Sequence, residues 1–295
     1  MKILNYGSMN LDYVYQVPRF VQPGETLDVS SRELKYGGKG LNQSVSLARA
    51  GARVYHAGTV GKGGEPLLKY LQENGVHTEH VTAVDEIQGH TVIQVNPQGE
   101  NSILLYGGSN RCQRMEDVLK TLSAFDPGDL LVLQNEINFL PQIVDAAAGR
   151  GMKIILNPSP CSEELRKVDF QKLSWLIMNE VEAGQITGES DPEKAWESLH
   201  RRWPSLSALI TLGGRGSVGF RVRGEEVESA TQPAERVTPV DTTGAGDTYT
   251  GYFLAALTEG RPLQVCMELA SRAAALSVTR LGAAESIPRR DELPA

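Results

Sequence analysis

The chain has 295 residues, 40% hydrophobic and 22% charged, an ordinary globular composition long enough for one large α/β domain or two smaller ones. A net charge of −7, with both signs spread along the chain, argues against a nucleic-acid-binding surface, and the apolar runs fall far short of the ~18 residues that a membrane span needs. Three scattered cysteines, Cys112, Cys161 and Cys266, have no zinc spacing and fit a reducing compartment; the opening MKILNYGSMNLDY carries no apolar leader, so the expected location is the cytoplasm.

The first residues read as a strand, and 26–36 is polar with partial alternation. Residues 40–50 form a helical pattern with Leu41, Val45 and Ala48 on one face and Gly51 just past its end; a second helix over 65–74 stops at Gly75. Residues 90–95 and 101–106 flank the turn Asn96-Pro97-Gln98-Gly99-Glu100, a hairpin signal. From about residue 115 the rhythm changes. Strand-like runs at 130–134, 153–157, 175–179 and 208–212 alternate with helical patterns at 139–150, 181–187 and 193–202. Runs such as Lys-Ile-Ile-Leu-Asn, apolar on both faces, suit strands covered by helices on both sides, and the alternation implies a mostly parallel sheet. The expected architecture is α/β: one domain over 1–295, a three-layer αβα sandwich carrying a small β-sheet excursion, a candidate lid built from about 12–36 and 88–107. A last helix over 263–279 is expected to turn Val265, Leu269, Ala273, Ala275 and Leu276 to the core.

The segment Asp241-Thr242-Thr243-Gly244-Ala245-Gly246-Asp247-Thr248 opens a helix expected to be amphipathic, with Tyr249, Phe253, Ala256 and Leu257 on it. Small residues at 244–246 let backbone N–H groups approach an anion at the helix start, where the helix dipole also favours negative charge. Asp247, in the first turn, can accept the proton of an attacking alcohol while those amides stabilise a phosphoryl group; such transfer asks the protein for in-line positioning and charge stabilisation. A lone Asp here would merely stabilise the helix start, but the whole string carries more than that. It resembles the C-terminal signature of the ribokinase (phosphofructokinase B-type) family of carbohydrate kinases. The resemblance implies a ribokinase-like fold, with Asp247 as catalytic base and Gly244, Ala245 and Gly246 as an anion hole.

Further segments resemble the same family, from Ser8 to Ser286. Gly37-Gly38-Lys39-Gly40-Leu41-Asn42-Gln43 resembles its N-terminal signature, and Ser8-Met9-Asn10-Leu11-Asp12 and Pro23-Gly24-Glu25-Thr26 resemble its sugar-binding and lid-base elements. These imply sugar contacts from Asn10, Asp12, Gly37, Gly38, Lys39, Asn42 and, at the end of a strand, Glu136. Asn179-Glu180-Val181-Glu182 resembles the element that organises Mg²⁺ and phosphate through water, implying Asn179 and Glu182; hard oxygen ligands suit that ion. The same segment also reads as a helix N-cap followed by acidic residues. Thr211-Leu212-Gly213-Gly214-Arg215-Gly216 resembles a nucleotide loop, implying Thr211, Gly213 and Gly216 with Gly246. Ser271 stands where some members of the family place an adenine-contacting His. The tail around Arg280 resembles a monovalent-cation loop, implying K⁺ held by Asp241, Thr243, Ser277, Arg280, Gly282 and Ser286.

The resemblance thus implies ATP with Mg²⁺ as cofactors, a sugar such as D-ribose as acceptor, and homodimers paired through the lid. A nucleoside or a keto sugar acid is the alternative acceptor, and a non-catalytic sugar-binding regulator the alternative class. Gly214-x-Gly216-x-x-Gly219 satisfies a dinucleotide fingerprint, but the segment after it is β-like and not a helix, so a dehydrogenase is rejected. No P-loop is present, and none of His56, His77, His80, His90 and His200 has metal-ligand spacing. Tyr6 and Tyr106 are open between the sugar side and plain sheet roles.

Overall fold

The computed structural model of the protein describes residues 1–293. Seven parallel strands make its centre: β1 (Ile3–Tyr6), β4 (Val54–Lys62), β5 (His77–Ile87), β8 (Leu130–Gln134), β9 (Lys153–Asn157), β10 (Trp175–Asn179) and β11 (Ser207–Thr211). Two more, β12 (Ser217–Arg223) and β13 (Glu226–Gln232), close one edge antiparallel. The nine-stranded sheet is ordered β13-β12-β11-β10-β9-β8-β1-β4-β5. The strand at Ser217 starts directly after the glycine loop, which is why the dinucleotide fingerprint carries no helix.

Alternation along the strands feeds two cores. Ile3, Leu130, Val132, Ile155, Ile177 and Leu209 face one side; Leu4, Tyr6, Leu131, Leu133, Leu156 and Ile210 face the other. The first side is covered by α1 (Lys39–Arg49), α2 (Glu65–Glu73), α7 (Ala245–Thr258) and α8 (Leu263–Ser277). The second is covered by α3 (Met115–Leu122), α4 (Leu140–Gly149), α5 (Glu180–Thr187) and α6 (Pro192–Arg202). This is the expected αβα sandwich. A separate four-stranded sheet is made by β2 (Asn10–Gln16), β3 (Ser31–Gly37), β6 (His90–Val95) and β7 (Asn101–Tyr106), in the order β3-β2-β6-β7.

Three expectations about elements are corrected. The alternation over 26–36 becomes strand only from Ser31, where pairing with β2 begins. α7 is not amphipathic: it is buried continuously from Asp247 to Ala256, because it lies between α1, α8 and the sheet. α8 turns Cys266, Met267, Ala270 and Ala273 inward, whereas Val265, Leu269, Ala275 and Leu276 are half-buried. Its inward arc is set by α7 on one flank and β12–β13 on the other.

The contact between α1 and α7 fixes the site. Gly251 faces α1 so closely that an added Cβ would stand 2.2 Å from Ser46 Oγ, and Ser46 Oγ donates to the Thr248 carbonyl at 2.8 Å. The N-termini of the two helices are thereby brought side by side.

Candidate active site

α7 starts at Gly244, whose φ of 75° lies in the left-handed region that a Cβ penalises; an added Cβ would also press on Ala283 at 3.1–3.2 Å. Asp247, in the first turn, is 7% exposed. Asn42 Nδ2 donates to its Oδ2 and Gln43 Nε2 to its Oδ1, each at 2.9 Å, so both carboxylate oxygens are held by amides from α1. Asn42 Oδ1 is buried and has no protein partner.

The loop before α7 is tied to the loop after α8. Asp241 accepts from the backbone N–H of Thr243 and of Gly282, both at 2.9 Å. Burial alone would raise its pKa, but those donors and nearby Lys35 hold it below the ordinary carboxylate range. Ser277 and Ser286 donate to the carbonyls of Ala274 and Ala283, and the Arg280 guanidinium pairs with Glu292 at 2.8 Å. Asp241, Thr243, Arg280, Gly282 and Ser286 therefore lie on two joined loops, with Ser277 at the end of α8 beside them and the Arg280 side chain turned to other use.

On the other side of α1 lies a cavity of about 430 Å³, lined by Ser8, Asn10, Tyr106, Asn110, Arg111 and Glu136 among others. The Glu136 carboxylate accepts from Ser8 Oγ and, at 3.1 Å, from the Lys39 backbone N–H. Asn110 fixes Asn10 by donating to its Oδ1 at 2.7 Å. Gly38 precedes α1, and Gly37 sits against Asp12, where any Cβ would collide with the carboxylate. Asp12 accepts from Thr91 Oγ1 at 2.6 Å. Burial raises its pKa to about 6; the Thr91 hydrogen bond opposes the rise, and the charges of Glu136 and Glu285 add to it. Burial disfavours charge on Lys39, yet the carboxylates of Asp247, Glu136 and Glu182 outweigh that cost and raise its pKa. Lys39 thus stands electrically between three acids from three parts of the chain.

A second cavity of about 660 Å³ is lined by Thr211, Gly213, Gly216, Gly246, Tyr249 and Ser271, with Arg236 and Val237 on the same wall. At the start of α5, Asn179 Oδ1 accepts from Glu182 N at 2.8 Å and Glu182 Oε2 from Asn179 N at 3.0 Å, a reciprocal cap. The helix cap expected at that segment therefore exists, and Glu182 also acts on Lys39.

Four residues of this arrangement carry no sequence signal of their role. Ser8 and Gln43 lie inside recognised motifs, but nothing in those motifs shows which atoms they touch. Asn110 and Arg111 lie on a short 3₁₀ turn after β7, where only a glycine pair marks a tight bend. Tyr6 belongs to the core, 1% exposed with its hydroxyl on Gln113, whereas Tyr106 lines the smaller cavity. Among the histidines, His56 is fully buried and the others are part-buried or exposed.

A family model described as pfkB family carbohydrate kinase matches residues 1–290. The chain belongs to that family. As a pfkB-family carbohydrate kinase it is a phosphotransferase acting on a sugar hydroxyl. It is 34% identical over 299 residues to a ribokinase of Haemophilus influenzae, covering 97% of this chain and 95% of that one. A ribokinase structure from Thermotoga maritima superposes with a TM-score of 0.86 at 31% identity, covering 99% and 97% of the two chains. A structure of Arabidopsis thaliana ribokinase complexed with ribose and ATP gives a TM-score of 0.83 at 29% identity, covering 98% and 96%. Among the described residues no helix is long and apolar enough to cross a membrane, and no three His, Cys, Asp or Glu side chains cluster as a metal site.

Proposed function

We propose that the protein transfers the γ-phosphoryl group of MgATP to a primary hydroxyl of D-ribose or a closely related sugar. The observation that carries this reading is the position of Asp247, whose neighbour Gly246 lines the larger cavity and whose partner helix α1 is joined through Lys39 to Glu136 of the smaller one. The sugar occupies the smaller cavity, held by Asn10, Asp12, Gly37, Gly38, Lys39, Asn42 and Glu136. The buried, unpartnered Oδ1 of Asn42 supplies an acceptor for a hydroxyl, since an orphaned polar atom of this kind is costly until a ligand meets it.

ATP occupies the larger cavity against Thr211, Gly213, Gly216 and Ser271. Asp247 takes the proton of the attacking hydroxyl, the new O–P bond forms as the bond to ADP breaks, and the amides of Gly244, Ala245 and Gly246 stabilise the charge on the transferring group. The Lys39 ammonium adds positive charge beside the same carboxylate. Asn179 and Glu182 fit a water-mediated Mg²⁺ site: their cap uses one oxygen of Glu182 and leaves carboxylate charge facing Lys39. Mg²⁺ would neutralise phosphate charge there. An ionised Asp241 joining the two loops fits a monovalent cation, which would stiffen the loop that leads into Gly244. The four-stranded sheet serves as the lid, and its exposed Ile103, Leu104 and Leu105 support pairing of lids in a homodimer.

A second acceptor class, a sugar acid, is favoured by one observation. Arg111 lines the sugar cavity, its guanidinium donates to the Ile137 carbonyl at 3.1 Å, and no carboxylate pairs with it among the described residues. ADP release measured over pentoses, hexoses, sugar acids and nucleosides, with and without K⁺, tests both readings. Turnover highest on D-ribose supports the first, turnover highest on a sugar acid supports the second, and tight sugar binding with no turnover on any of them contradicts both.

A further inference from the structure

Beneath Asp247, between α1 and the central sheet, five polar side chains are fully buried: Asn5 on β1, Gln43 and Ser44 on α1, His56 on β4 and Gln134 at the end of β8. β1 is flanked directly by β8 and β4, and Asn5 is in register with His56, so the group spans three neighbouring strands. Leu41 and Val45, on the same helix as Gln43 and Ser44, are buried in the apolar core beside them. Burying amides, a hydroxyl and an imidazole instead is costly unless each finds a partner.

The partners form a connected path that leaves two atoms of the group, Gln134 Oε1 and His56 Nε2, buried without a hydrogen-bond partner. Gln134 Nε2 donates to Gln43 Oε1 at 2.7 Å and to Asn5 Oδ1 at 2.8 Å. With its oxygen so engaged, Gln43 can present only its NH₂ to Asp247 Oδ1, and this is the bond at 2.9 Å. Asn5, its oxygen likewise engaged, turns its NH₂ to the Gly40 carbonyl at 2.7 Å and Ser44 Oγ at 2.8 Å. Ser44 Oγ is in turn hydrogen-bonded with His56 Nδ1 at 2.8 Å. Full burial, which pushes the His56 pKa down to about 3, keeps that imidazole neutral. The NH₂ of Gln134 is thus the fork from which every orientation is set: one branch ends on the carboxylate of Asp247, the other is locked by Asn5, Ser44 and His56.

We propose that Gln134 is a positioning residue for phosphoryl transfer, fixing the Asp247 carboxylate through the amide of Gln43 while Asn5, Ser44 and His56 fix Gln134 itself. It touches neither sugar nor nucleotide. Its effect is to hold a donor on Oδ1 that favours the ionised carboxylate and restrains its rotation. The inference rests on the reading of Asp247 as base.

Gln134→Met keeps the volume and removes both donors. The expected result is a kcat about 10-fold lower, KM for sugar and ATP within about 2-fold of wild type, and an acid limb of the kcat–pH profile moved to higher pH, because the Gln43 amide is no longer held with its NH₂ on the charged carboxylate. In a Gln43→Met background the same change should have no further effect on kcat, since Gln134 then has nothing through which to act. A purely structural role would lower thermal stability, leave the acid limb in place, and give additive losses in the double variant; that result overturns the proposal. Should Gln134→Met not fold, Ser44→Ala, which deletes one hydroxyl at the far end, is expected to lower kcat about 2- to 5-fold at constant KM with a smaller shift of the same sign; an unchanged profile overturns the proposal equally. Asp247→Asn measured alongside separates the two readings. If it retains turnover, the base assignment fails. If it loses turnover while Gln134→Met behaves as wild type, only the positioning role fails.

Discussion

Among single residues, the proposed chemistry turns on carboxylates placed in different surroundings. Asp247 is buried but has amide donors on both oxygens; Asp12 is half-buried with one hydroxyl donor and two acids nearby, and its pKa rises to about 6. Because Asp12 takes up its proton more readily folded than unfolded, its contribution to stability falls as pH rises from about 4 to about 6 and is level above that. Ionised Asp12 is the better acceptor for a sugar hydroxyl, so KM for the sugar is expected to rise as pH drops below about 6 while kcat changes less. Asp12→Asn should flatten both trends, as melts and initial rates across that range would show. Asp247, Asn42, Asn10 and Glu136 are legible in the sequence because each lies in a short motif of fixed spacing or at a recognisable strand end. Gln43, Asn110 and Arg111 are not, because their significance lies in partners far along the chain: Gln43 meets Asp247 across 204 positions.

Among the elements, strands apolar on both faces are the easiest to read. β8, β9 and β10 begin and end where continuous Leu, Ile and Val runs predict, and the β6–β7 hairpin falls on either side of its Gly-containing turn. β4 and β5 leave no such mark. β5 is an edge strand of eleven residues rich in His, Thr and Glu and half-exposed throughout, so it shows neither the buried run nor a clean alternation. The helix faces of α7 and α8 escape the pattern for a related reason: a helix enclosed by other helices and a sheet has no broad polar side to break its apolar pattern. The α1–α7 contact is the joint that matters for chemistry. Gly251→Ala would place a methyl against Ser46 and Leu47, forcing the helices apart at a cost of about 1–3 kcal/mol. It is expected to lower both Tm and kcat, because the amides of Asn42 and Gln43 move with α1. A stable variant with unchanged turnover would show that the joint is slack.

In the molecule as a whole, two sheets divide the work: the nine-stranded sheet supports both helix N-termini at the proposed site, and the four-stranded sheet carries Asn10, Asp12, Gly37 and Tyr106, on the side proposed for the sugar. The interrupted strand–helix rhythm before residue 115 signals this second sheet, but its strand order, with β2 parallel to β6 at its centre, depends on long-range pairing that no local pattern encodes. Its edge strand β7 exposes Ile103, Leu104 and Leu105, each more than half exposed. If lids pair, Leu104→Glu should convert a dimer to a monomer in light scattering and loosen sugar binding; a wild-type monomer at assay concentration would remove the pairing. Catalysis, as proposed, depends on proton transfer to one carboxylate at the mouth of α7. Its most direct test is the rate of ADP formation by Asp247→Asn with D-ribose and MgATP, with binding of both ligands measured by calorimetry on the same sample. A kcat at least ~10²-fold below wild type, with both ligands still bound, is the expected result; turnover near the wild-type rate would contradict it.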